Sequence, residues 1–132
     1  MFRRLAFVAF SLASTVAVQA QDADAGKTVF NQCRACHQVG EGAKNLVGPH
    51  LNGLIGRKSG SIEGYSYSEA NKKSGKTWDE ATFRGYIQNP KAEATGIPGT
   101  KMVYVGLKDE KKVTDLVAYL KTFGADGKPA AK

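Results

Sequence analysis

The sequence predicts a small all-α domain in which helices near the two ends clasp a loop-rich middle. Three observations predict it. Apolar side chains recur at helical spacing toward both ends of the chain. No run of residues alternates between apolar and polar as a strand would. Between the helical ends, Gln38–Gly64 carries seven glycines, a loop that a compact domain keeps only if it is disordered or wraps something large. Bulk composition agrees. With 42% hydrophobic and 23% charged side chains and 4 prolines in 132 residues, the chain is neither a disordered polyampholyte, a collagen-like rod nor a multi-span membrane protein.

The first twenty residues stand apart from the fold. Met1-Phe2-Arg3-Arg4 is a basic start, Leu5–Val18 carries no charge, and Val18-Gln19-Ala20 offers small residues at the spacing a signal peptidase accepts. A membrane anchor is the rival, but fourteen residues reach about 21 Å as a helix against a hydrocarbon core of ~30 Å. Residues 1–20 are therefore expected to be a cleaved signal peptide and 21–132 a single domain. Loss of Arg3 and Arg4 lowers the net charge from +7 to +5 and leaves Met102 as the only methionine.

Four helices are expected in the remainder. Asp22 to about Ala35 opens with acids and places Ala25, Val29 and Cys33 on one face, with Gly26 and Phe30 beside them. A short helix runs from Ser68 to about Lys73 and stops at Gly75. Thr77-Trp78-Asp79-Glu80 reads as a capping box, and the helix it starts must end before Pro90. Asp109–Phe123 is the clearest, with Val113, Leu116, Val117 and Leu120 at i, i+3, i+4, i+7 and Gly124 as its C-terminal cap. A frayed tail follows from about residue 125. A domain this small is marginal on its apolar core alone.

Both cysteines and one of the two histidines fall in Cys33-Arg34-Ala35-Cys36-His37. Two thiols three apart on a helical turn face the same way, so each can add across one vinyl group of a haem, and the next imidazole can reach the iron. This is the c-type haem attachment signature. The rivals are weaker. A structural zinc site needs four ligands, and beyond these three there is only the distant His50. A thioredoxin-like pair needs a preceding strand, and a disulfide across four residues closes too small a ring to staple much. A covalently held haem also supplies the apolar bulk that the small core lacks. For a second axial ligand the candidates are Met102 and His50. Met102 follows the turn-forming Ile97-Pro98-Gly99-Thr100-Lys101, far enough from His37 to reach the opposite ring face. His50, thirteen residues after His37, is expected to stay on the proximal side.

At these residues the chain resembles the class I cytochromes c, the mitochondrial cytochrome c and bacterial cytochrome c2 group. The likeness runs through Gly48-Pro49-His50-Leu51-Asn52-Gly53-Leu54-Ile55-Gly56-Arg57, Tyr65–Asn71, Thr77-Trp78, Asn89-Pro90-Lys91, Ile97–Met102 and Asp115–Leu120. It implies the small cytochrome c fold, with terminal helices packed across each other and loops wrapped around one covalently attached haem c. It also implies roles. Cys33 and Cys36 would carry the haem, and His37 would be the proximal ligand, oriented by the Pro49 carbonyl. Met102 would be the distal ligand. Arg57, Tyr67 and Trp78 would hydrogen-bond the propionates, with Ser68 joining them; Asn71, Tyr86 and Thr100 would form a polar network beside the methionine. Gly26, Phe30, Leu116 and Tyr119 would make the contact between the terminal helices. The chain departs from the mitochondrial pattern in a longer Lys91–Pro98 loop, in a shorter Phe30–Cys33 stretch, and in Tyr104 where those proteins usually have Phe.

Two filled axial positions leave iron no open site for substrate, and a Met/His pair raises its potential. The sequence therefore points to a soluble periplasmic one-electron carrier rather than an enzyme. A haem enzyme, the alternative, would need a vacant or easily displaced distal position. Lys44, Lys91, Lys101 and Lys108 match family positions around the exposed haem edge, where a basic ring steers acidic redox partners. Such partners would be a quinol–cytochrome c reductase, a terminal oxidase, a reaction centre or a periplasmic reductase. A monomer without stable membrane insertion is expected, and export makes nucleic acid an implausible partner.

Overall fold

The computed structural model describes residues 21–131; the expected leader, residues 1–20, lies outside them. Four α-helices follow in order: α1 (Ala23–Phe30), α2 (Glu69–Lys73), α3 (Glu80–Gln88) and α4 (Glu110–Leu120). Among the described residues there is no strand, only two isolated antiparallel bridges, Lys58 with Thr77 and Phe123 with Pro129. The all-α expectation holds.

Each helix starts the same way. The side-chain oxygen of Asp22, Ser68, Asp79 or Asp109 accepts the backbone N–H three residues on, satisfying one of the donors a helix start leaves open. The third helix corrects the sequence reading. Its cap is Asp79 and not Thr77, because Thr77 and Trp78 are still extended. Trp78 N–H donates to Arg57 O (2.8 Å) while Thr77 bridges Lys58. The first helix likewise tightens earlier than expected, becoming a 3-10 turn over Asn31–Cys33.

The ends of the chain meet at the crossing of α1 and α4. Gly26 is buried there, and a Cβ on it would overlap the Asp115 carbonyl oxygen. Close approach brings Phe30 within 5.5 Å of the Tyr119 ring and buries Phe30, Val113, Leu116, Val117 and Leu120 almost completely. The Asp115 carboxylate is buried in the same place. It accepts from Lys111 Nζ (2.6 Å) and from Asp22 N–H (3.1 Å), tying the start of α1 to α4. Hydrogen bonding by Lys111 holds its carboxyl below the usual carboxylate range.

The C-terminal segment differs from expectation. Helix α4 ends at Leu120, and Gly124 is not a left-handed cap; that conformation belongs to Gly127. Instead of fraying, the segment turns back. Gly124 N–H donates to Lys128 O (2.8 Å) and Ala130 N–H to Thr122 O (2.9 Å). Gly127 is buried against the Gly40 carbonyl, where a Cβ would overlap it. The tail thus backs the first part of the glycine-rich loop. The longer Lys91–Pro98 loop is closed on itself by Gly96 N–H to Ala92 O and Ile97 N–H to Pro90 O.

Candidate functional site

The loops and the inner faces of α1, α3 and α4 enclose a cavity of about 700 Å³, within the range of sites that hold a large organic ligand. Its apolar walls include Leu54, Phe83, Ile87, Leu116 and Leu120. Cys33, Cys36, His37, Arg57, Ser68, Asn71, Tyr67, Trp78, Tyr86, Thr100 and Met102, all singled out in the sequence, line the same cavity.

The cysteines come from the turn that ends α1. Both are partly buried. Burial, reinforced by Cys36, pushes the Cys33 thiol up to about 11. A thiol protonated at neutral pH is the opposite of the depressed one that a thioredoxin-like nucleophile requires. No cluster of three or more His, Cys, Asp or Glu able to hold a metal occurs among the described residues.

The proximal side is tightly determined. His37 Nδ1 lies 2.7 Å from the Pro49 carbonyl oxygen. A carbonyl can only accept, so Nδ1 carries the proton and the Nε2 lone pair is left for a metal. Burial holds the imidazole below its usual pKa, which keeps the ring neutral. Gly48 lies flat against the ring, since a Cβ there would overlap Cε1. Behind it, Gly48 N–H donates to Cys36 O (2.9 Å) and Leu51 N–H to Gln38 O (2.9 Å). The buried Asn52 carboxamide bonds both the N–H and the C=O of Gly40. His50 is not part of the cavity wall, and its Nδ1 accepts from Asn52 N–H (3.3 Å).

The distal side is looser. The Tyr86 hydroxyl donates to Met102 Sδ at 3.4 Å. Thr100 Oγ1 lies 3.4 Å from Tyr86 Oη and accepts from Met102 N–H at 3.3 Å. Asn71 does not join them. It sits at the third residue of α2, where its Oδ1 accepts from Ser68 Oγ (2.8 Å) and its N–H donates back to Ser68. The Ser68 hydroxyl is thus engaged in the cap of α2.

Arg57 provides the test of what fits. One of its terminal nitrogens donates to the carbonyls of His50 (3.1 Å) and Asn52 (3.0 Å), while its Nε is buried with no partner. An orphaned guanidinium N–H on a cavity wall calls for an acceptor, best an anionic one. Tyr67 stands ready beside it. Its Oη accepts from Ile62 N–H (3.1 Å), and burial raises its pKa, so the O–H is free to donate. The Trp78 indole N–H makes no hydrogen bond among the described residues. A flat apolar group with carboxylate arms, two sites for thioether links and an iron between imidazole and thioether fits this donor set. The sequence missed Asn52 and the Tyr104–Gln32 pair described below, which act through contacts distant in sequence. Asn52 sits inside the Gly48–Arg57 motif, the one signal that could have marked it.

Comparison with known proteins gives the same direction. The family model described as Cytochrome c covers residues 23–124. The chain is 60% identical to cytochrome c2 of Blastochloris viridis over 95% of its length and 97% of that protein. It is 56% identical to cytochrome c-550 of Nitrobacter winogradskyi over 84% and 99%. Among solved structures, cytochrome cH from Methylobacterium extorquens is similar, with a TM-score of 0.69, 48% identity and coverage of 76% of this chain and 98% of that one.

Proposed function

The chain belongs to the cytochrome c family, whose members are electron carriers and not enzymes and hold a single covalently attached haem c, and on that premise we propose that it is a soluble periplasmic carrier with His37 and Met102 as axial ligands. The observation that supports this reading is that His37, Met102 and both cysteines line the same cavity. The haem supplies one-electron chemistry at iron. Everything else falls to the chain.

Cys33 and Cys36 hold the macrocycle through two thioethers. Pro49 fixes the tautomer and orientation of His37, as an outer partner of a metal ligand does. Tyr86 and Thr100 aim the Met102 sulfur. Arg57, Tyr67 and Trp78 bind the propionates, and the apolar walls exclude water. With His37 held by Pro49 and Met102 by Tyr86 and Thr100, the chain would leave little to rearrange when an electron moves.

Lys44, Lys91, Lys101 and Lys108 are all exposed, and Lys101 is on the cavity wall itself, with its Nζ 4.5 Å from the Tyr65 ring centroid. These lysines steer acidic redox partners: a quinol–cytochrome c reductase, a terminal oxidase, a reaction centre or a periplasmic reductase. The carrier acts as a monomer without stable membrane insertion, and no helix of the described residues is long and apolar enough to cross a membrane.

Intact-mass measurement of the exported protein tests this reading. The expected mass is that of the chain from Gln21 plus one haem. A mass with free thiols, or with residues 1–20 retained, would contradict it.

A further inference from the structure

Two segments distant in sequence both contribute to the cavity wall. One is the turn Asn31–His37 that carries the cysteines. The other is the irregular run Met102–Gly106. That run is anchored at its ends. Met102 is held by Thr100 and Tyr86, and Leu107 is buried with its N–H on Ile87 O (2.8 Å). In the middle, Val103 and Val105 are each 83% exposed. Tyr104 between them is half-buried, and all three residues line the cavity.

There the Tyr104 hydroxyl donates to Gln32 Oε1 at 2.7 Å, across 72 residues of sequence. The orientation of the Gln32 amide is itself determined, because its Nε2 donates to the Val29 carbonyl (3.2 Å) and leaves Oε1 as the acceptor. Among the described residues this is the only hydrogen bond between residues 31–37 and 100–106. Phenylalanine would fill the same space without it.

We infer that Tyr104 is a positioning residue for the distal ligand: tied to Gln32, its phenol holds the Met102–Val105 segment closed over the cavity mouth and so resists displacement of Met102 by small external ligands. This rests on the assignment of Met102 as distal ligand. A net hydrogen bond of about 0.5–1.5 kcal/mol corresponds to about two- to twelve-fold in an equilibrium. The tie acts only in the closed state, so its loss shifts the balance toward the open one by that factor.

The experiment is an imidazole titration of the ferric, haem-loaded protein, comparing the parent with Tyr104→Phe, Gln32→Leu and the double variant. Each single change is expected to tighten imidazole binding about two- to twelve-fold, and the double variant no further than either single, because both remove one interaction. All variants should keep the weak sulfur-to-iron band before imidazole is added. Parental imidazole affinity in either single variant, even with lowered thermal stability, would overturn the role, as would effects that simply add. Absence of the sulfur-to-iron band from the parent is a different failure: it overturns the Met102 assignment, and the role of Tyr104 with it.

Discussion

The two walls of the cavity are built differently. On the proximal wall, His37 follows directly on the attachment turn and is held by a 2.7 Å contact to Pro49 and by Gly48 flat against its ring. The supporting loop is cross-tied by Asn52 and backed by the folded tail. On the distal wall, Met102 starts an irregular run. Its side chain is held by one 3.4 Å contact from Tyr86, and its backbone by Thr100. A wall determined several times over tolerates the loss of one contact; a wall held by single contacts does not. On the proposed ligation, the distal side would control ligand exchange and potential, and the proximal side resistance to unfolding.

The largest test of that contrast is Met102→Ala. The only other methionine is Met1, at the start of the proposed leader, so no thioether within residues 21–132 can substitute. The variant should lose the sulfur-to-iron band and bind cyanide or carbon monoxide readily. Its reduction potential should fall by roughly a few tenths of a volt, within the ~0.8 V that axial ligands command. An unchanged band and potential would mean that the ligand is another group.

A smaller and different effect is expected from Gly48→Ala. Its backbone is not left-handed, so the obstacle is space: the new methyl group would collide with the His37 ring. Overpacking of this kind costs about 1–3 kcal/mol, and each kcal/mol lowers the melting temperature by about 4–8 °C in a domain of this size. The sulfur-to-iron band should survive, because the distal wall is untouched. Loss of the band with no loss of stability would invert the comparison.

The same contrast governs what could be read from the sequence. The proximal site was legible because its chemistry is compressed into five consecutive residues and one following Gly-Pro. The terminal helices were legible from apolar spacing, and the Gly26 contact from the family resemblance. The position of Met102 on the cavity wall was legible because it is the only methionine after residue 20. Asn71 lines the cavity as expected, but a local hydrogen bond from Ser68 within the cap of α2 takes its carboxamide oxygen, and family likeness carries no record of that competition. The start of α3 was misplaced for a similar reason, as Thr77 serves a bridge to Lys58 across the fold. The tail read as frayed because its partners, Gly40 and Thr122, are recognisable only once the loop is folded. Tyr104 was seen only as a departure from the mitochondrial pattern, since its partner lies 72 residues away.

The contrast between the walls is tested most directly by following both axial ligands at once. In the ferric haem-loaded protein, resonances of the Met102 methyl and the His37 ring can be monitored by NMR as imidazole is added. The structure predicts that the Met102 signal leaves its iron-bound position while the His37 ring signals persist. Displacement of His37 first, or no iron-bound Met102 signal at the outset, would contradict it.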